Sequence, residues 1–124
     1  MKTRIMIMLP SEEPAETREV ELPDLFKASP TRIYAALKAI IEPITGYPLE
    51  HVNVLADFAG GKNFRHCDMF VNELGHVVKP PLPRNEEATA IYRRNALMHQ
   101  GYTDPEELPW IAGPAVLFEH TVWH

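Results

Sequence analysis

Proline constrains this chain more than any other residue. Twelve occur among 124 positions, about twice the ~5% of average usage. Each fixes φ and removes a backbone donor, so the chain has to be built from short elements joined by many turns. Its composition, 45% hydrophobic and 23% charged, is that of an ordinary globular protein, and its length allows one domain around one core. We expect an α+β fold, with a mostly antiparallel sheet of about five to six short strands packed with two main helices and residues 1–124 forming a single domain.

The prolines also mark where elements end. Ile5 to Leu9 is an apolar run without alternation, the pattern of a strand covered on both faces, and Pro10 ends it. Glu19-Val20-Glu21-Leu22 alternates and should pair with it as a hairpin across a polar loop. Ser29-Pro30 opens a helix, with Ser29 as cap and Pro30 at the first helical position, where its missing N–H costs nothing. Ile33, Leu37, Ile40 and Ile41 give that helix one apolar stripe, and Pro43 and Gly46 are expected to stop it. His51 to Leu55 is a short strand candidate, and Ala59 to Asn63 a flexible turn.

Arg65 to Val71 is expected as the next strand, with His66, Asp68 and Phe70 on one face and Cys67, Met69 and Val71 on the other, better core face. Asn72 to Gly75 reverses the chain, His76 to Lys79 returns as partner strand, and Pro80-Pro81-Leu82-Pro83 leaves the sheet. Asn85 caps a second helix with Glu86 and Glu87 in its first turn and Arg93-Arg94 towards solvent. Asp104 to Glu107 has the form of a capping box. Ile111 to Glu119 is the last strand, and Gly113-Pro114 within it suggests an edge position or a bulge.

Three of these pieces carry a resemblance. Asp68-Met69-Phe70-Val71-Asn72-Glu73-Leu74-Gly75, then Leu82 to Thr89, then Ile111 to Val116 together resemble the DUF3846 family: a strand into Asn-Glu-x-Gly, a Pro-x-Asn-x-x-Ala/Thr helix opening, and a closing Ile-x-Gly strand. The resemblance spans roughly residues 68–118. It implies a phage- or plasmid-type domain of unknown function and carries over no catalytic residue. Residues Arg94 to Pro109 depart from the family pattern as a long insertion before the last strand.

Bulk charge weighs against two function classes. A formal charge of −5 argues against a nucleic-acid binder, which would show a clustered basic stripe, and is too small a surplus to imitate the DNA backbone. One cysteine rules out an internal disulfide or a Cys-based zinc site. The apolar run before Pro10 is shorter than the ~7–15 residues of a signal peptide. No stretch approaches the ~20 apolar residues of a membrane span, so we expect no membrane partner and a cytoplasmic protein.

Candidate sites are few. His66 and Asp68 share a strand face and could work as a general base with its orienting carboxylate, or begin a metal site. The plainer expectation is an exposed, half-polar strand face. His76 could come opposite; His120 and His124 share a face near the C-terminus. Cys67 points away from His66 and is expected as a small buried hydrophobe. Gly60-Gly61-Lys62 is too short for a phosphate loop.

Arg84, Arg93 and Arg94 near a helix N-terminus could receive an anion, although Glu86 and Glu87 share that turn. His99, Tyr102 and Trp110 in and beside the insertion suit a partner surface. The expectation is a non-catalytic binding or regulatory protein, without cofactor or resident metal and as a homo-oligomer. It would bind a host protein or a small nucleotide-like ligand, in the manner of a host-defence inhibitor. The rival is a small hydrolase built on His66 and Asp68, with or without a metal.

Overall fold

A computed structural model describes residues 1–58, 64–100, 104, 106 and 108–123, the side chains of 99 and 100 excepted. The described residues form five strands and two helices: β1 (Lys2–Met8), β2 (Glu16–Glu21), α1 (Pro30–Thr45), β3 (Leu49–Asp57), β4 (Phe64–Asn72), α2 (Glu86–Gln100) and β5 (Ala115–Phe118). The fold is α+β. The strands make one sheet in the order β2-β1-β5-β4-β3, antiparallel at every pairing. No helix among the described residues is long and apolar enough to cross a membrane.

Two local hairpins, β1–β2 and β3–β4, are joined by β5, which pairs Ile5↔Phe118 through Met8↔Ala115 on one side and Met69↔Leu117 and Phe70↔Val116 on the other. Antiparallel sheets often leave one face in water, but here both are covered. Along each central strand alternate residues go to opposite cores. Ile5, Ile7, Phe70, Val116 and Phe118 pack with Ile33, Leu37 and Ile41 of α1. Met8, Cys67, Met69, Ala115 and Leu117 pack with Ala88 of α2, flanked by Ile91 and Tyr92.

The caps form as the sequence suggests. Arg32 N–H donates to Ser29 Oγ at 3.2 Å, and Ala88 N–H donates to Asn85 Oδ1 at 3.1 Å. Asn85 is fully buried, and its Nδ2 donates to the carbonyls of Met8 and Gly113, each at 2.9 Å. One amide therefore caps α2 and ties the end of β1 to the chain entering β5.

Three expectations are corrected. Pro43 does not stop α1, which runs on to Thr45 and ends where Gly46 takes φ +79°. Burial of Ile41 and Thr45 and packing of Ile44 outweigh the one intrahelical bond lost. His76 to Lys79 is turn rather than strand, because β3 and β5 already occupy both edges of β4. The turn is held by Asn72, whose Oδ1 accepts from Leu74 N–H at 2.8 Å and whose Nδ2 donates to the Thr45 carbonyl at 3.0 Å. The last strand is central, not an edge. Pro114 sits just ahead of it, where the missing donor breaks no ladder bond, and only Ala112 bridges earlier, to Arg84. The second helix runs to Gln100, as far as its sequence pattern suggests, so the first seven residues of the insertion, 94–100, are helix.

Candidate functional site

Antiparallel pairing of β3 with β4 sets Asn53 opposite Asp68, His51 opposite Phe70 and Leu55 opposite His66. The polar residues of both strands thus share the face beneath α1. Asp68 is not on an exposed face: it is 0% exposed, since the chain after β5 crosses this face and covers it.

Four donors surround the carboxylate. His51 Nε2 lies 2.6 Å from Oδ1, and Asn53 Nδ2 donates to the same oxygen at 3.1 Å. The backbone N–H groups of Val122 and Trp123 donate to Oδ2 at 2.7 and 2.8 Å. Burial alone would raise the acid's pKa, but these hydrogen bonds outweigh it and hold the carboxyl below its ordinary range. Asp68 is therefore an ionised anchor for the chain end and for His51.

The pairing of His66 with Asp68 does not form. His66 is exposed, and its Nδ1 lies 3.2 Å from Asn53 Oδ1, so Asn53 stands between the two. His51 takes the place expected for His66. With Nε2–H directed to Asp68, Nδ1 is the atom left to accept a hydrogen bond. The ring is 32% exposed on its side chain and packs against Phe70 at 5.2 Å between centroids. A hollow of about 180 Å³ opens beside it, lined by Tyr34, Leu37, Leu49, His51, Phe70 and Trp123. Tyr34 and Trp123 form a second ring pair, 5.5 Å apart and tilted by 51°.

The residues expected to bind a partner are dispersed. Arg93 is 7% exposed, not turned to solvent. Its guanidinium donates to the carbonyls of Leu108 (3.1 Å) and Pro109 (3.4 Å), with Glu106 at 3.4 Å. Thr89 accepts from Ile111 N–H at 2.9 Å, and Asn85 N–H donates to the Ile111 carbonyl at 2.8 Å. Asn85, Thr89 and Arg93, spaced four apart on one helical face, stitch residues 108–113 to α2. This accounts for much of the motif on which the DUF3846 resemblance rests.

Arg84 and Trp110 do come together. The guanidinium sits 6.0 Å from the indole centroid, while His76, rather than facing His66, packs edge-on against that indole at 4.2 Å. Arg84 is held by Glu86 at 2.9 Å, so the anion site expected there already has its carboxylate. Arg94 lies over Phe64 at 4.9 Å, on the opposite side of the sheet from His51. His99's side chain, Tyr102, His124 and Gly60-Gly61-Lys62 lie outside the described residues. His120 Nδ1 is 3.3 Å from Thr3 Oγ1.

Cys67 is a buried residue of the α2-side core, as expected, and burial pushes its thiol up to about 11. Among the described residues no three His, Cys, Asp or Glu side chains gather into a group that could hold a metal. Sequence reasoning missed His51, Tyr34 and Trp123. A signal existed for His51, because His51-Val52-Asn53 alternates as His66-Cys67-Asp68 does, two polar strips that a hairpin brings side by side.

No family model, no curated protein and no solved structure matches this chain. The likeness to DUF3846 rests on its motif residues alone.

Proposed function

We propose that this chain is a non-catalytic binding protein that takes its ligand on the α1 side of the sheet. One observation carries the reading. A buried carboxylate whose four hydrogen bonds all serve the fold holds a histidine at the rim of an aromatic-lined hollow. Such a hollow, mostly apolar with a few polar groups and one of them held in place, is the usual make-up of a small-ligand site. Cys67, the strongest nucleophile by residue type, lies on the other face with its thiol protonated.

The ligand extracted from protein purified out of its native host cells tests this, together with affinity capture from host lysate. We expect a retained small molecule or captured partner that Trp123→Ala releases. No retained molecule and no captured partner, from parent and variant alike, would refute the reading. Interference with a host defence by a phage or mobile element is the wider proposal that the family resemblance supports, tested by infection assays with the Trp123→Ala protein.

The 2.6 Å contact of His51 with Asp68 favours a second reading, a hydrolase in which His51 is the base and Asp68 its orienting group. Loss of ester or nucleotide hydrolysis in His51→Ala, against a measurable parent rate, would support it.

A further inference from the structure

The hollow's walls specify more than an apolar ligand. Its lining consists of Tyr34, Leu37, Leu49, His51, Phe70 and Trp123, with no Lys, Arg, Asp or Glu among them. A charged group entering it would lose water and gain no counter-charge, so the portion of ligand inside must be neutral. Its volume, about 180 Å³, falls below the ~300–1,000 Å³ of sites for drug-sized molecules and suits one ring system. The two ring pairs, Tyr34 with Trp123 and His51 with Phe70, offer aromatic faces to stack on a planar guest.

The polar atom completes the specification. Asp68, ionised and buried, accepts from His51 Nε2, so Nδ1 is the ring atom left to accept a hydrogen bond from a guest. A guest with a ring or exocyclic N–H satisfies it, whereas a hydrocarbon ring leaves it dry and unpaired.

We propose that this hollow binds a neutral, planar nitrogen heterocycle, reading its N–H through His51 and stacking it against Tyr34, Phe70 and Trp123. The same chemistry is offered by a free nucleobase and by the base of a nucleotide whose phosphates stay outside. The inference rests on the binding reading above and narrows it to a ligand class.

The test is titration of the full chain, followed by the Trp123 indole N–H resonance, with adenine, cytosine, benzene and adenosine 5′-monophosphate. Adenine or cytosine should saturate the shift at least about tenfold more tightly than benzene, the worth of one hydrogen bond of roughly 1.4 kcal/mol. His51→Phe should abolish that preference, so that adenine and benzene bind alike. His51→Lys, which can donate to Asp68 but carries no acceptor, should likewise lose the preference and serves where the Phe variant fails to fold. Adenosine monophosphate binding at least as tightly as adenine supports the inference with a nucleotide as source; weaker binding supports it with the free base.

Benzene binding as tightly as adenine, or a preference that survives both His51 variants, overturns the ligand class while the binding proposal stands. No shift with any ring overturns the inference as well. The binding proposal then falls only if extraction and lysate capture also yield nothing.

Discussion

Replacing Asp68 should reveal how much the chain end depends on one carboxylate. The group is 0% exposed and receives four hydrogen bonds, two of them from the backbone of Val122 and Trp123. Alanine leaves both N–H groups and His51 Nε2 without an acceptor. Each orphaned donor costs roughly 1–3 kcal/mol, so we expect Asp68→Ala to lose about 4 kcal/mol. That is a large part of the ~5–15 kcal/mol that holds a domain together. Asparagine keeps the shape and one oxygen but exchanges charge-assisted bonds for neutral ones, a loss of about 2 kcal/mol.

Urea unfolding followed by far-UV circular dichroism measures both variants. The pH dependence is a second, independent check. Hydrogen bonding holds the folded pKa of Asp68 below its unfolded value despite burial. The stability it contributes is therefore complete above the unfolded pKa of ~3.9 and is lost as pH falls through the folded one. The gap between parent and Asp68→Asn should shrink in strong acid, as Asp68 itself becomes protonated. Glu119, pushed up by burial but held low overall by Arg4, titrates alike in both proteins and cancels. An Asp68→Ala variant within about 1 kcal/mol of the parent, or a gap independent of pH, would refute this account.

Arg93→Met should cost about 2 kcal/mol in thermal or urea unfolding, since the Leu108 and Pro109 carbonyls lose their donor; a neutral result would refute the stitch. Gly113→Ala should cost about 1–3 kcal/mol, because φ is +82° and a Cβ would meet Leu82 Cδ1 at 2.7 Å. Adding Leu82→Ala should recover the steric part only, as a double-mutant cycle will show. Cys67, with its thiol raised by burial from 9.0 to about 11, should hold about a hundredfold less thiolate at pH 8 than an ordinary thiol and react correspondingly slowly, by roughly tenfold or more, with a disulfide reagent. Fast labelling in the absence of denaturant would contradict the buried placement.

The local parts of this fold were legible in the sequence. Ser29 and Asn85 were recognisable as caps because a cap's partners lie three residues away. The stripe of α1 and the alternation of β2 follow from periodicity. What misled was always supplied from a distance. Pro43 reads as a stop until the sheet that buries Ile41 and Thr45 is known. His76 to Lys79 reads as the partner of β4 because the actual partner on that side, β5, comes more than forty residues later. Asp68 reads as a surface residue because two of its four donors stand 54 and 55 positions away. The site was half visible, as polar residues alternating on two strands, but its aromatic walls come from α1 and the chain beyond β5, which no local pattern connects.

The place of β5 in the middle of the sheet has a consequence for how the protein is made. During synthesis both hairpins and both helices leave the ribosome before Ala115 to Phe118 does. Until then the inner edges of β1 and β4, later joined through β5, are open strands carrying Ile5, Ile7, Met69 and Phe70. Open apolar edges are the surfaces on which chains pair wrongly with one another. A nascent chain stalled or cleaved before residue 115 is thus a pair of adhesive hairpins, and shielding by a chaperone matters most in that interval.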